Sequence, residues 1–219
     1  MQVAGWRSKK MVEIRIHGRG GQGALSASTM LATAAHKAGR YVQAFAVYGA
    51  ERRGAPMVAF VRVDDAPIRL RQMVYQPNGT IVLDSTLLAM VDVTAGLVPG
   101  GWVLLNAPEG RVPPAALQPF TVYAVDATAI AAELGLGTRA MPMVNTAILG
   151  AVARFGGLAD LSHVLRAIAE IVPAKVDANL EAARRAFDRV HCPASPSPLP
   201  LPSPREYPGR GMEERGRAT

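Results

Sequence analysis

The chain has 219 residues, of which 49% are hydrophobic and 19% are charged, so it holds enough apolar material for one globular core. Its longest apolar runs, such as 147–152, are far shorter than the roughly 20 residues of a membrane-spanning helix, and we expect no membrane contact. The formal net charge is +7, but no RNA-binding motif or aromatic-interleaved basic helix lies between the two basic ends of the chain. We therefore expect no nucleic-acid partner; the charge favours an acidic partner, an anionic cosubstrate or solvated tails.

Signals for export, disulfides and metals are also missing from the sequence. Residues 1–11 include basic side chains but run into an alternating pattern, where a secretory signal would continue with an apolar run, so we predict a cytoplasmic protein. Cys192 is the only cysteine, which excludes an intrachain disulfide and leaves a four-thiolate iron–sulfur cluster without three of its ligands. The four histidines show no metal-ligand spacing, and we predict no metal site.

The first predicted element is a strand over 11–17, where apolar and polar residues alternate. A glycine-rich turn over 18–23 leads directly into good helix formers over 24–38, and Gly39 then ends the predicted helix. Further strands are predicted at 41–47, 57–63, 80–83, 102–105 and 121–125. Helical spacing dominates the last third of the chain, over 145–155, 161–171 and 174–190.

This order of strands and helices predicts an α/β fold. We expect a single domain with a mostly parallel sheet, helices on both faces of the sheet, and additional helices at the C-terminal end. From Cys192 onward, closely spaced prolines and a polar run favour an extended, disordered tail. The predicted organisation is an N-terminal tail over 1–10, the domain over 11–190, and a Pro-rich tail over 191–219.

Residues 18–23, Gly-Arg-Gly-Gly-Gln-Gly, match the G-x-G-x-x-G pattern between a strand and a helix. Such a loop lets a ligand approach the backbone, and the amides at the helix start attract a phosphate or carboxylate. The alternative is a tight turn that needs glycine only for packing. An NAD site would need an acidic residue about 20 positions later, where Gln43 stands, with Glu51 further on. An NAD site is therefore disfavoured, and an NADP site stays open as an alternative.

Two motifs occur in order along the chain, EIRIHGRGGQG over 13–23 and YGAERRGAP over 48–56. Together they resemble the γ subunit of the 2-oxoacid:ferredoxin oxidoreductases. The resemblance extends over about residues 11–190 and includes 60–68, 81–84, 145–150, and Lys175 with 179–181. Ala55 stands where the 2-oxoglutarate and indolepyruvate branches tend to have glycine, so the pyruvate branch is favoured. Neither tail takes part in the resemblance.

The resemblance implies a non-catalytic subunit of an enzyme that converts a 2-oxoacid and coenzyme A into acyl-CoA, CO₂ and reduced ferredoxin. The implied partners are the alpha, beta and delta subunits, or fused equivalents, with ferredoxin as acceptor. Thiamine diphosphate, magnesium and iron–sulfur clusters are expected in those partners, because this chain lacks a Gly-Asp-Gly run and has one cysteine. No cofactor is expected on this chain alone. Its implied roles are support of assembly and part of the coenzyme A site.

We predict that coenzyme A contacts two loops, through Gly18, Arg19, Gly20, Gly21, Gln22, Gly23, Glu51, Arg52 and Arg53. The phosphates are expected at the glycine loop, with the three arginines as donors. Alternatively, Arg52 and Arg53 pair with acidic residues across a subunit interface, and Glu51 either orients an arginine or is an exposed loop acid. A stand-alone NADP-binding oxidoreductase and a ligand-free scaffold also stay open.

Polar residues that end strands or begin helices are predicted to stabilise the fold rather than to bind ligand. Asp84, Asn106 and Asp126 are expected to cap helices or form turns. Asn145 and Asn179 are expected to cap or bridge helices.

Overall fold

The computed structural model describes residues 11–47 and 54–194. Within them the strands are β1 (Val12–Arg19), β2 (Tyr41–Val47), β3 (Pro56–Asp64), β4 (Gly79–Val82), β5 (Trp102–Asn106), β6 (Thr121–Val125) and β7 (His191–Ala194). The α-helices are α1 (Ala24–Lys37), α2 (Ala127–Glu133), α3 (Asn145–Phe155), α4 (Leu161–Ile171) and α5 (Val176–Arg189). Two short 3-10 helices lie at Ser85–Ala89 and Ala115–Leu117.

All of these strands belong to one sheet, in the order β2-β3-β1-β4-β5-β6-β7. The centre of the sheet is parallel, because β1 pairs with β4, β4 with β5, and β5 with β6 in the same direction. The edges are antiparallel: β3 pairs with both β1 and β2, and β7 pairs with β6. The predicted α/β class is confirmed, with a mixed sheet.

The strand β7 comes from the first residues that the prediction assigned to the Pro-rich tail. His191 and Ala194 pair with Ala124 and Val122 of β6, across a register irregularity. The folded sheet therefore includes residues 191–194, while the remainder of the predicted tail and residues 1–10 lie outside the described part of the chain.

One face of the sheet, which we call the helix face, carries Ile14, Ile81 and Leu104 and is covered by α1 to α5 in a continuous apolar core. The opposite face, the loop face, carries Val103 and Leu105 and packs against the segments that connect β4, β5 and β6. The prediction placed helices on both faces. In the described residues, the loop face is covered by loops and the two 3-10 helices. Prolines at both ends of the 108–114 stretch help to explain this, since proline interrupts α-helix.

Small side chains bring the helices close together on the helix face. Gly150 of α3 lies against the backbone of α5, where a Cβ atom at Gly150 would approach the carbonyl oxygen of Ala183 to 1.9 Å. One turn earlier in both helices, Thr146 Oγ1 donates to Asn179 Oδ1 at 3.0 Å, so the first turns of α3 and α5 also lie side by side. Both helices begin near the start of α1, and that meeting point positions the candidate site.

Charged side chains hold connecting segments onto the loop face. Arg62 is fully buried; its Nε donates to Glu13 Oε1 at 2.7 Å and its Nη2 donates to the Gln72 carbonyl at 2.7 Å. Arg15 donates from Nη2 to the carbonyl oxygens of Val93 and Ala95. None of the helices described in the structure is both long enough and apolar enough to cross a bilayer.

Candidate functional site

The glycine-rich loop is held in a defined shape by short hydrogen bonds. The Gly20 amide donates to the Ala55 carbonyl at 2.9 Å, and the Gly54 amide donates back to the Gly20 carbonyl at 3.1 Å. Gly21 and Gly23 have φ angles of 96° and 80°, a left-handed backbone that residues with a Cβ atom rarely adopt. The loop therefore needs glycine at both positions for its conformation, whatever it binds.

The loop ends at an α-helix whose first turn has no side-chain cap. Gly23 is the N-cap of α1, no side chain caps its amides, and the first turn contains no acidic residue. Amides in the first turn of a helix have no partner within the helix, and the helix dipole adds partial positive charge there. The start of α1 is thus suited to a negatively charged or acceptor-rich group.

A cavity of about 780 Å³ opens beside this helix start. The loop, α1, the 136–143 segment and the turn before α5 all contribute to its walls, which are mainly apolar. Its apolar side chains include Leu25, Met30, Met57, Leu136, Met143 and Ile171. Of the described residues that line it, Lys175 is the charged one.

Asn145, the first residue of α3, places a polar side chain beside the last glycine of the loop. It is only 6% exposed, and its Oδ1 accepts from the Thr146 amide at 2.9 Å. The side-chain nitrogen Nδ2 lies so close to Gly23 that a Cβ atom there would come within 2.7 Å of it. Gly23 therefore serves a second purpose, because it leaves room for the Asn145 amide.

Asn179 and Lys175 form the opposite wall at the start of α5. Asn179 donates to the carbonyl oxygens of Ala174 and Lys175 and accepts from Thr146 Oγ1 at 3.0 Å, so it bridges α5 to α3 as predicted. Lys175 is the N-cap of α5 with a φ angle of 52°, and its ammonium group donates to the Gly135 carbonyl. Lys175 is the one non-glycine residue with positive φ in the part of the chain that the structure describes.

The predicted loop residues divide into two groups. Gly20, Gly21 and Gly23 line the cavity, whereas Gly18, Arg19 and Gln22 are not among the lining residues. Gly18 is instead packed between Ala24 and Leu83, where an added Cβ would come within 3.1 Å of both side chains. Glu51, Arg52 and Arg53 lie outside the described residues, so their predicted role stays a prediction.

Arg19 and Gln22 brace the loop through Asp84. Arg19 Nε donates to Asp84 Oδ2 at 2.9 Å, and its other nitrogens donate to the Gly54 carbonyl and Thr86 Oγ1. Gln22 Nε2 also donates to Asp84 Oδ2, at 3.2 Å. Burial alone raises the pKa of Asp84, but hydrogen bonds from Thr86, Arg19 and Gln22 outweigh it and hold this pKa below its usual value. Asp84 therefore stays charged and keeps Arg19 in place.

Asp84 and Asp126 cap helices as predicted. Asp84 accepts from the Thr86 amide at the start of the first 3-10 helix, and Asp126 accepts from the Ala129 amide at the start of α2. Asn106 joins the end of β4 to α2 through the Leu83 carbonyl and Thr128 Oγ1. None of the three lines the cavity.

The topology gives no support to the dinucleotide alternative. In a dinucleotide-binding βαβ unit the strand after the glycine loop and helix lies parallel and adjacent to the first strand. Here β3 lies between β1 and β2, and Gln43 uses its amide to hold the carbonyls of Ile68 and Leu70. In the described residues, no cluster of histidine, cysteine or acidic side chains is arranged to hold a metal ion.

Comparison with known proteins accounts for the whole domain. The sequence pattern of the pyruvate ferredoxin/flavodoxin oxidoreductase family matches residues 13–189. The chain belongs to this family. Its predicted membership is therefore confirmed. Described residues of both motifs line the cavity, Gly20, Gly21 and Gly23 from the first and Ala55 and Pro56 from the second.

Two curated relatives are close to this chain in length and sequence. The pyruvate/ketoisovalerate oxidoreductases common subunit gamma of Thermococcus kodakarensis is 49% identical over 183 residues, which cover 82% of this chain and 97% of the relative. The pyruvate synthase subunit PorC of Methanothermobacter thermautotrophicus is 45% identical over 181 residues, covering 82% and 96%. The folded domain thus corresponds to nearly the full length of both relatives.

A solved structure supports the same assignment. The crystal structure of the pyruvate oxidoreductase subunit PORC from Thermotoga maritima superposes with a TM-score of 0.71 at 38% sequence identity. The match covers 85% of this chain and 100% of that subunit.

Sequence reasoning found the loop but missed Asn145 and Lys175 as parts of the cavity wall. Both residues were noted in the resemblance, yet no local pattern shows that the starts of α3 and α5 meet the start of α1. The one sequence signal available is that both stand at the first turn of a predicted helix.

Proposed function

We propose that this chain is the γ subunit of a pyruvate:ferredoxin oxidoreductase, or of a close 2-oxoacid relative, and acts in the cytoplasm. The assembled enzyme converts a 2-oxoacid and coenzyme A into acyl-CoA, CO₂ and reduced ferredoxin. Relatives of matching length that are named as subunits of pyruvate oxidoreductases support this proposal. The alpha, beta and delta subunits or their fused equivalents would hold thiamine diphosphate, magnesium and iron–sulfur clusters.

Within that enzyme, this chain supports assembly and contributes part of the coenzyme A site. The observation that carries this proposal is the cavity of about 780 Å³ between the glycine loop and the uncapped start of α1. Ligand pockets are typically about 300 to 1,000 Å³, largely apolar, with a few well-placed polar groups. Coenzyme A combines phosphates with a long, largely apolar arm, so its chemistry suits a cavity with an apolar wall and a helix start at one end.

Enzyme kinetics on the assembled complex test the proposal. We expect the Arg52→Ala/Arg53→Ala double variant, and separately Gly20→Val, to raise the KM for coenzyme A more than the KM for pyruvate. A guanidinium that meets a phosphate contributes about 1.5 to 3 kcal/mol, so the KM for coenzyme A should rise roughly 10-fold or more. A branched side chain at Gly20 would obstruct the cavity wall that this glycine forms.

The Arg69→Ala/Arg71→Ala double variant is a matched control, since it removes two positive charges from exposed positions that do not line the cavity. Complexes are first checked for subunit content by size exclusion. If Arg52 and Arg53 serve only an interface, their substitution would weaken assembly and lower every rate together. An unchanged KM for coenzyme A in intact Arg52, Arg53 and Gly20 variants would refute a coenzyme A site at these loops.

A further inference from the structure

The two edges of the sheet differ in how well they are protected against pairing with a further strand. The β7 edge is four residues long, contains Pro193, and pairs with β6 across a register irregularity. Short length, proline and irregular pairing are the features with which natural proteins block a sheet edge. The β2 edge has seven residues, YVQAFAV, and contains neither a charge nor a proline. The sheet therefore has one blocked edge and one edge that can accept another strand.

The backbone of β2 has hydrogen-bonding groups to offer on its outer side. The strand stands last in the sheet order, beside β3. In an antiparallel edge strand, alternate residues direct their N–H and C=O groups away from the neighbouring strand. Within residues 11–47 and 54–194, β3 is the one segment that hydrogen-bonds to the backbone of β2. The outward groups of β2 are thus free to form a second ladder.

The side chains of β2 alternate between the two faces of the sheet. On the helix face, Val42 and Ala46 pack against the apolar core. On the loop face, Gln43 donates to the Leu70 carbonyl at 3.0 Å. Residues two positions apart share a face, so Ala44 belongs to the helix face, and Tyr41, Phe45 and Val47 belong to the loop face.

The two ends of β2 are apolar and exposed, and its centre is small. Tyr41 is 49% exposed and Val47 is 40% exposed. They lie three positions before and after Ala44, which is also exposed. Where two identical strands pair about a two-fold axis, the central residue meets its own copy. Alanine at that point brings neither bulk nor like charge to the axis, so the strand is suited to pairing with itself.

We propose that two copies of this chain pair antiparallel along β2, centred on Ala44, so that their sheets join across a two-fold axis. In this register all seven residues of each strand have a partner, and the loop faces of both sheets lie on the same side. Tyr41 of one copy lies opposite Val47 of the other, at both ends of the paired strands. Aromatic and β-branched side chains in opposite positions stabilise antiparallel pairs.

The oligomeric state of the full chain tests this inference, measured by analytical ultracentrifugation over a range of protein concentrations. The unmodified chain should form a concentration-dependent dimer. Tyr41→Lys/Val47→Lys places like charges opposite each other at both ends, and the Kd of the dimer should rise about 10-fold or more. Tyr41→Lys/Val47→Glu is the matched control, because it changes the same positions but sets opposite charges there. It should retain the dimer.

Two results of the ultracentrifugation would overturn the inference. One is an unmodified chain that stays monomeric at every concentration. If such a chain also fails to enter the assembled oxidoreductase once it carries Tyr41→Lys/Val47→Lys, β2 pairs with a strand of another subunit instead. The other is a dimer that the like-charge variant leaves intact, since that dimer must use a different surface.

Disulfide formation checks the register independently. The two Ala44 residues would face each other with Cα atoms about 4.5 to 5.5 Å apart, which a disulfide can span. In a Cys192→Ser background, which removes the one cysteine of the chain, Ala44→Cys should form a covalent dimer on oxidation. Ala46→Cys should not, because Val42 of the other copy faces it. Equal cross-linking of both variants would contradict this register, and a dimer in which neither cross-links would contradict the β2 interface.

This inference goes beyond the proposed function and is tested apart from it. The ultracentrifugation and cross-linking use the chain without coenzyme A or other subunits. A monomeric chain would leave the proposed coenzyme A site untouched, and an unchanged KM for coenzyme A would leave the β2 interface untouched.

Discussion

The two faces of the sheet are held by different interactions. The helix face is closed by alanine, glycine and branched aliphatic side chains, as where Gly150 lies against Ala183. The loop face beside β1 and β3 is closed by buried polar groups, above all Arg62 and His17. Helices bring their own internal hydrogen bonds to the sheet and need only matching shapes. Loops bring free carbonyl groups that must find donors, and Arg62 and Arg15 provide them.

This contrast implies that the helix face responds mainly to changes in volume and the loop face to changes in charge and pH. Three substitutions in the full chain test that difference.

Arg62→Met should cause the largest loss of stability. The substitution leaves the Glu13 carboxylate and the carbonyls of Gln72 and Met73 without their donor. Removing one partner of a buried ion pair typically costs about 3 to 5 kcal/mol, and urea unfolding followed by circular dichroism measures the change. Adding Glu13→Gln should recover part of the loss, because no buried charge is then left unpaired. A loss below about 1 kcal/mol, the size expected for an exposed ion pair, would show that Arg62 does not hold the loop face.

His17 should make the loop face sensitive to acid. Burial, helped by the positive charge of Arg15 and opposed by Asp92, lowers the pKa of His17 to about 4. The unfolded chain takes up this proton near the usual pKa of about 6.5, while the folded chain stays neutral until about pH 4. The stabilisation of the folded chain that depends on neutral His17 is therefore complete above pH 6.5. It declines as the pH falls toward 4, by about 3 kcal/mol at most.

Unfolding free energies measured at steps between pH 7 and pH 4 check this expectation. His17→Asn should flatten the decline, whereas His36→Asn, at an exposed position on α1, should leave it intact. Equal slopes for His17→Asn and the unmodified chain would contradict the assignment of this pH dependence to His17.

Gly150→Ala should destabilise the helix face by a smaller amount. A new Cβ atom would approach the Ala183 carbonyl oxygen to 1.9 Å, so α5 must shift away from α3. Overpacking costs about 1 to 3 kcal/mol, and a contact this short with backbone puts the cost near 3 kcal/mol. The better helix propensity of alanine returns about 1 kcal/mol, so we expect a net loss of about 2 kcal/mol. Arg184→Ala, on the exposed side of α5, is the control and should change the urea midpoint little. A Gly150→Ala variant as stable as the unmodified chain would show that the two helices are free to separate.

Most of the secondary structure was predictable because its signals are local. Alternation over 11–17 and helical spacing over 145–155 depend on residues within a few positions of each other, and the structure has β1 and α3 there. The family was also recognisable, because the two motifs occur in order along the chain. The end of α1 followed from Gly39, which has a φ angle of 86° in the structure.

Local patterns in the sequence were enough to identify the class of fold, the family and the glycine loop, whereas the packing of the domain sets which groups meet at that loop. Asn145 follows Gly23 by 122 positions in the sequence, and their contact depends on how α1 and α3 pack on the sheet. The same holds for Arg19, which is held by Asp84, and for β7, which pairs with β6. Local patterns report the preferences of neighbouring residues, but a cavity is formed by residues far apart in the chain, and their meeting depends on the packing of the whole domain.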